Sequence, residues 1–196
     1  MKIVIIDYGA GNVRSVQFAL ERLGYEAICT NEIDKIRAAD KVIFPGVGEA
    51  SSAMRELQRF GLDELIPKLE QPVLGICLGM QLMCSHSAEN DTKCLDIFPI
   101  DVLRFDNRLK VPQIGWNKIS GLKTELFDGL QEGAFVYYVH SYYVPDNSFS
   151  IASTEYGLVY SGAIRKDNFY ACQFHPEKSS DAGERILKNF IEKIEI

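Results

Sequence analysis

Along the first half of the chain, apolar residues gather in short runs separated by amphipathic stretches. Residues 2–6 (KIVII) are apolar after one lysine, the pattern of a strand buried on both faces. Val13, Val16, Leu20 and Leu23 then recur every three or four positions, which predicts a helix that Gly24 can end. Residues 25–30 and 41–44 read as further strands. Residues 50–60 read as a helix stopped at Gly61, 72–76 as a buried strand, and 78–84 as the start of another helix. This alternation predicts a parallel sheet covered by helices on both faces.

The second half has a different texture. Its apolar runs are short and rich in aromatic and β-branched residues: DVLRF at 101–105, FVYYVHSYYV at 135–144 and YACQF at 170–174. They read as antiparallel strands, appended to the same sheet or forming a small second one. From Asp181 to Ile194, the residues Ile186, Leu187, Phe190, Ile191 and Ile194 share one face and predict a closing helix. No repeat, low-complexity tract or long linker interrupts the chain. The expectation is an α/β fold: an open, mostly parallel sheet with helices on both faces, plus an antiparallel β-rich C-terminal half, in a single domain over 1–196.

Composition narrows the classes. The chain has 196 residues, 46% of them hydrophobic and 24% charged, which suits a globular core and opposes disorder. A net charge of −6 gives no electrostatic reason for a nucleic-acid or anionic-membrane partner. No run approaches the ~20 apolar residues of a membrane span, and Asp7 interrupts the apolar start without a secretory pattern. A cytoplasmic setting is expected, where thiols stay reduced. The five cysteines, Cys29, Cys77, Cys84, Cys94 and Cys172, are then packing or chemistry. Their gaps lack the spacing of zinc sites, and no metal or cofactor is expected. Gly9-Ala10-Gly11 follows a strand as a dinucleotide loop does, with Glu32 downstream to meet a ribose. Arg14, however, occupies the third glycine position and opposes close helix–strand packing, so a tight turn is the preferred reading.

The informative segment is Gly75-Ile76-Cys77-Leu78-Gly79, between an apolar strand and a helix. It is the nucleophile-elbow pattern, with cysteine where serine is commoner. A sharp strand-to-helix turn pushes the nucleophile outward, and flanking glycines relieve crowding. The helix N-terminus favours thiolate, and the Leu78 N–H can face a developing oxyanion. A thiolate needs a base. His175 lies just past an apolar strand in Gln173-Phe174-His175-Pro176-Glu177, with Glu177 placed to fix one ring nitrogen. His86 and His140 read as ordinary packing or surface histidines. Pro45-Gly46-Val47-Gly48 directly follows the strand at 41–44, and its glycines let backbone N–H groups face a ligand. In an open parallel sheet, all three segments end on the same carboxyl edge.

These residues resemble the class I, triad-type glutamine amidotransferases. The matching motifs are PGVG at 45–48, GICLGMQ at 75–81 and QFHPEKS at 173–179. DYGAGNVRSV at 7–16, PQIGWNKI at 112–119 and YVHSYYV at 138–144 narrow the resemblance to the glutaminase-subunit (HisH) branch of imidazole glycerol phosphate synthases, over essentially the whole chain. The resemblance implies Cys77 as nucleophile, His175 as acid and base, and Glu177 as its orienting carboxylate. It implies an oxyanion hole from the backbone of Val47, Gly48 and Leu78, and a glutamine pocket from Gly48, Gln81, Ser141 and Tyr142. It also implies a (β/α)8-barrel cyclase partner, HisF, docking near Asn12, Trp116, Tyr137, Tyr138 and Lys178, and receiving ammonia for histidine biosynthesis. Rival readings are a component of another ammonia-dependent synthase, a paralogue recruited to a different pathway, an elbow-cysteine peptidase or hydrolase, and a non-enzymatic docking module. The HPE motif and Gln81 argue against the peptidase. The intact Cys77, His175 and Glu177 argue against the docking module.

Overall fold

The structure is a computed structural model that describes residues 1–106 and 108–195. Strand β1 (Ile3–Ile6) is buried at all four positions. Because side chains alternate across a strand, Ile3 and Ile5 enter one apolar layer while Val4 and Ile6 enter the other. The strands β2 (Ala27–Thr30), β3 (Lys41–Gly46) and β4 (Val73–Cys77) join it in parallel. One layer packs Val42, Phe44 and Val73 under α2 (Ile33–Arg37), α3 (Ala50–Arg59) and α4 (Leu62–Leu65). The other packs Ile43, Leu74 and Ile76 under α1 (Val13–Arg22) and α6 (Ser180–Glu192). Between β4 and the next strand lies one short helix, α5 (Leu78–Leu82).

The β-rich second half both extends the main sheet and helps to build smaller ones, but two of its pairings are parallel rather than antiparallel. Strands β11 (Ser150–Glu155) and β12 (Val159–Lys166) extend the main sheet antiparallel. Strand β13 (Phe169–Cys172) runs antiparallel to β12 and parallel to β4, giving the order β11-β12-β13-β4-β3-β1-β2. The remainder forms two small sheets. One is β10-β7-β5-β6, from β5 (Cys84–Ser87), β6 (Thr92–Lys93), β7 (Phe98–Arg104) and β10 (Tyr142–Tyr143). The other is an antiparallel ribbon of β8 (Gln113–Lys118) and β9 (Phe135–His140). Among the described residues, no helix is long and apolar enough to cross a membrane.

Three local expectations change. The helix read over 78–84 stops at Leu82, and Cys84 opens β5, because its carbonyl accepts the Asp96 N–H at 2.9 Å. The strand read over 41–44 runs on through Pro45 to Gly46. Pro45 is tolerated there because pairing with β1 ends at Ile5↔Ile43, so the missing N–H costs no ladder bond on that side. Helices α2 and α4 are too short for periodicity to announce them.

Candidate active site

Strand β4 lies between β3 and β13, and α5 leaves it without a spacer. Cys77 makes that turn at φ +54° and ψ −107°, a conformation costly for any residue with a Cβ. The surroundings enforce it. A Cβ on Gly79 would stand 2.0 Å from the Phe44 carbonyl oxygen, so only glycine lets α5 sit directly on β3. At Gly75 a Cβ would meet the Met83 sulfur at 3.0 Å and the Met80 nitrogen at 3.1 Å. The Cys77 sulfur lies 3.7 Å from the Val139 carbonyl oxygen, and the Gln173 side-chain amide donates toward it at 3.7 Å.

His175 follows β13, the strand beside β4. Its Nδ1 is 2.8 Å from Glu177 Oε1, and both side chains are buried. Pro176 turns the chain into one turn of 3-10 helix, which brings Glu177 back under the imidazole. The backbone is fixed from the side by β9. The His175 N–H donates to the Tyr137 carbonyl at 2.9 Å. Ser179 Oγ donates to the His175 carbonyl at 2.6 Å and accepts the Tyr137 N–H at 2.9 Å. Burial alone pushes the His175 pKa down. The negative charge of Cys77 and its hydrogen bond, followed by Glu177, outweigh burial and raise it to about 10. The second oxygen of Glu177 is buried without a partner.

A pocket of about 320 Å³ opens over the sulfur, and Gly48, Gln81, Ser141, Tyr142 and His175 all line it. The side-chain amide of Gln81 donates to the Tyr142 carbonyl and to Gln173 Oε1, each at 3.0 Å. Gly48 has φ +100° and open space where a Cβ would be, so its backbone is free to turn toward a ligand. Leu78 stands at the first turn of α5, where N–H groups lack helical acceptors. Val47 departs from expectation: its N–H donates to the Ala10 carbonyl at 3.3 Å and is occupied in this conformation.

The residues expected at a partner interface do not form one set. Trp116 is half exposed and meets Tyr137 edge-to-face with centroids 5.9 Å apart. Lys178 is exposed at the pocket rim. Asn12 precedes α1, and its Oδ1 accepts from the Ser15 hydroxyl at 2.7 Å. Tyr138 is corrected: it is fully buried with its hydroxyl 2.5 Å from that of Thr154, because alternation along β9 turns it inward. Sequence reasoning misses several residues at or beside the pocket, among them Gln173, His140 and Glu89. Gln173 stands two residues before His175, inside a motif that was itself conspicuous. His140 reads as packing in the sequence. Glu89 lies in a polar turn with no signal of its own and reaches the pocket by accepting the Ala50 N–H at 2.8 Å.

The glutamine amidotransferase class-I family model matches residues 4–194. The chain is 58% identical to the imidazole glycerol phosphate synthase subunit HisH of Bacteroides fragilis, covering 98% of this chain and 100% of that one. It is 48% identical to the HisH subunit of Haemophilus influenzae, covering 99% and 98%. In fold it is similar to a solved glutamine amidotransferase, with a TM-score of 0.76 at 19% identity over 96% of this chain and 97% of that one. A putative GMP synthase subunit of Thermoplasma acidophilum gives 0.73 at 23% identity, over 97% and 92%. With the family model spanning nearly every residue and relatives this close over their full length, the chain belongs to the class I glutamine amidotransferases, on the branch of the HisH subunits.

Proposed function

We propose that this chain is the glutaminase subunit of an imidazole glycerol phosphate synthase. It hydrolyses glutamine to glutamate and ammonia and passes the ammonia to a cyclase subunit for histidine biosynthesis. The observation that carries this reading is the strained Cys77 turn opening on the same pocket as the buried His175–Glu177 pair.

His175 takes the Cys77 thiol proton as general base. The sulfur attacks the side-chain amide carbon of glutamine, and the carbonyl electrons move to oxygen. The N–H groups of Leu78 and Gly48 face that oxyanion, one such donor being worth about 10²–10³ in rate. His175 protonates the leaving nitrogen, ammonia departs and a γ-glutamyl thioester remains. A water that gives its proton to His175 then attacks the thioester carbon, the C–S bond breaks, and glutamate and the thiolate are released. Glu177 holds the ring and balances its charge throughout. The pocket carries one carboxylate, Glu89, and one ammonium, Lys178, the charges needed to receive the α-ammonium and α-carboxylate of an amino acid. Gln81, Ser141 and Tyr142 complete the substrate contacts, the last two through backbone groups.

Ammonia is mostly protonated at neutral pH and a poor nucleophile, so a closed path to a partner is needed. A (β/α)8-barrel cyclase, HisF, docking over Asn12, Trp116, Tyr137 and Lys178 would close it, in the cytoplasm. The anionic ribonucleotide then belongs to the partner, which suits a chain with net charge −6. The test is ammonia release from glutamine, with and without a barrel cyclase and its ribonucleotide. The chain should release ammonia, the partner should stimulate it, and Cys77→Ala should abolish it. Release that survives Cys77→Ala overturns the mechanism, and absence of stimulation overturns the assignment to this synthase.

A further inference from the structure

We propose that His140 is a positioning residue for the substrate pocket, fixing the Ser141–Tyr142 turn through a buried relay that joins β8 to the nucleophile. The inference rests on reading that pocket as the glutamine site. His140 ends β9 and is buried. Its Nδ1 lies 2.7 Å from the Tyr142 carbonyl oxygen. The same oxygen accepts from Gln81, whose amide also donates to Gln173, whose own amide faces the Cys77 sulfur. On the opposite side of the ring, Nε2 lies 3.2 Å from the Tyr160 hydroxyl. That hydroxyl is 2.9 Å from Gln113 Oε1 at the start of β8.

Proton counting fixes what this histidine can do. Burial drives its pKa down to about 4, with His175 adding repulsion, so the ring is neutral at pH 7 and carries one N–H. A carbonyl only accepts, so that N–H sits on Nδ1. Nε2 is then an acceptor, and it competes with Gln113 for the single proton of Tyr160. Both ring nitrogens are committed, so His140 has none left to serve as a second base. Phe105 and Tyr138 pack against the ring with centroids at 5.3 Å and 5.5 Å. What the ring supplies is a rigid second donor to the Tyr142 carbonyl, and hence a set orientation for the peptide groups that face the substrate.

The experiment is steady-state glutamine hydrolysis by the full chain, beside the rate at which iodoacetamide alkylates Cys77. His140→Phe keeps ring volume and removes both bonds. It should raise KM about tenfold, the size of one buried hydrogen bond, with kcat and the alkylation rate nearly unchanged. His140→Asn puts an amide N–H near the Nδ1 position and should recover most of the lost KM. Tyr160→Phe keeps the packing, removes one hydroxyl and should shift KM the same way by about twofold to threefold, even where His140→Phe fails to fold. Wild-type KM in His140→Phe, or in Tyr160→Phe where that variant does not fold, overturns the proposal. So does a His140→Asn that rescues nothing, or an alkylation rate that collapses with KM. Activity surviving Cys77→Ala would instead overturn the underlying pocket reading.

Discussion

Two imidazoles line the same pocket and are driven in opposite directions. His175 has the Cys77 sulfur and the Glu177 carboxylate beside it, which outweigh its burial, whereas His140 has neutral hydrogen-bond partners and is repelled by His175, so burial prevails. The consequence for stability follows from linkage. Between pH 6.5 and 4 the unfolded chain protonates His140 and the folded chain does not. That group's stabilisation is therefore full above pH 6.5 and lost as pH falls. Denaturant unfolding should show the wild type losing about 3 kcal/mol more than His140→Asn over that window, at about 1.36 kcal/mol for each pKa unit. Equal slopes would mean that the ring titrates normally. At Glu177, replacement by alanine removes the charge beneath His175 and should lower kcat/KM by about 10²–10⁴, the range of a positioned acid–base group. Steady-state kinetics check it, and a loss below threefold would count against the assigned role. Cys77, His175 and Glu177 are legible because each sits in a local signature of glycines, proline and carboxylate. His140 is not, because its partners Tyr160 and Gln113 lie on other strands.

Elements position these groups through close backbone approach. Helix α6 does for the histidine turn what β3 does for the cysteine turn: a Cβ on Gly183 would stand 1.9 Å from the Pro176 carbonyl oxygen. The helix cannot retreat freely, because Asn189 donates to the Leu126 and Asp128 carbonyls at 3.0 Å and 2.9 Å. Gly183→Ala should thus push on the Pro176–Lys178 turn, costing about 1–3 kcal/mol of stability as overpacking does. Displacement of His175 by a fraction of an ångström should lower kcat about tenfold or more. Denaturant unfolding and kinetics on one preparation check both, and an unchanged kcat would show that the turn is held independently of α6. Long apolar runs such as those of β1, β3 and β4 declare themselves because burial on both faces removes nearly all polar positions, Lys41 at the start of β3 being an exception. The ends of α5 and the paths of β5 and β6 do not. Strand β5 is set by pairing with β7, whose partner residues lie more than ten positions away, and β6 by folding back onto β5.

At the scale of the whole molecule, the outward face of the β8–β9 ribbon is out of keeping with a solvated surface. Antiparallel pairing sets Ile114 against Val139, Trp116 against Tyr137 and Lys118 against Phe135, while Gln113, Val136, Tyr138 and His140 turn inward. Ile114, Trp116 and Phe135 are each more than half exposed, and the Val139 carbonyl of the same ribbon touches the nucleophile. Exposed apolar stripes are the kind of surface on which partners dock, and aromatics commonly dominate the binding energy of such surfaces. Trp116→Ala should weaken binding to a barrel cyclase about 30-fold, the equivalent of roughly 2 kcal/mol, and leave thermal stability unchanged because the indole supports no core. Tyr138→Phe should do the reverse. It keeps the affinity and loses about 1 kcal/mol of stability with its Thr154 hydrogen bond. Calorimetric titration with the cyclase, set beside thermal unfolding of each chain, separates the two. Wild-type affinity in Trp116→Ala would move the docking surface off the ribbon, and with it any direct contact between the partner and the strand that carries both Val139 and His140.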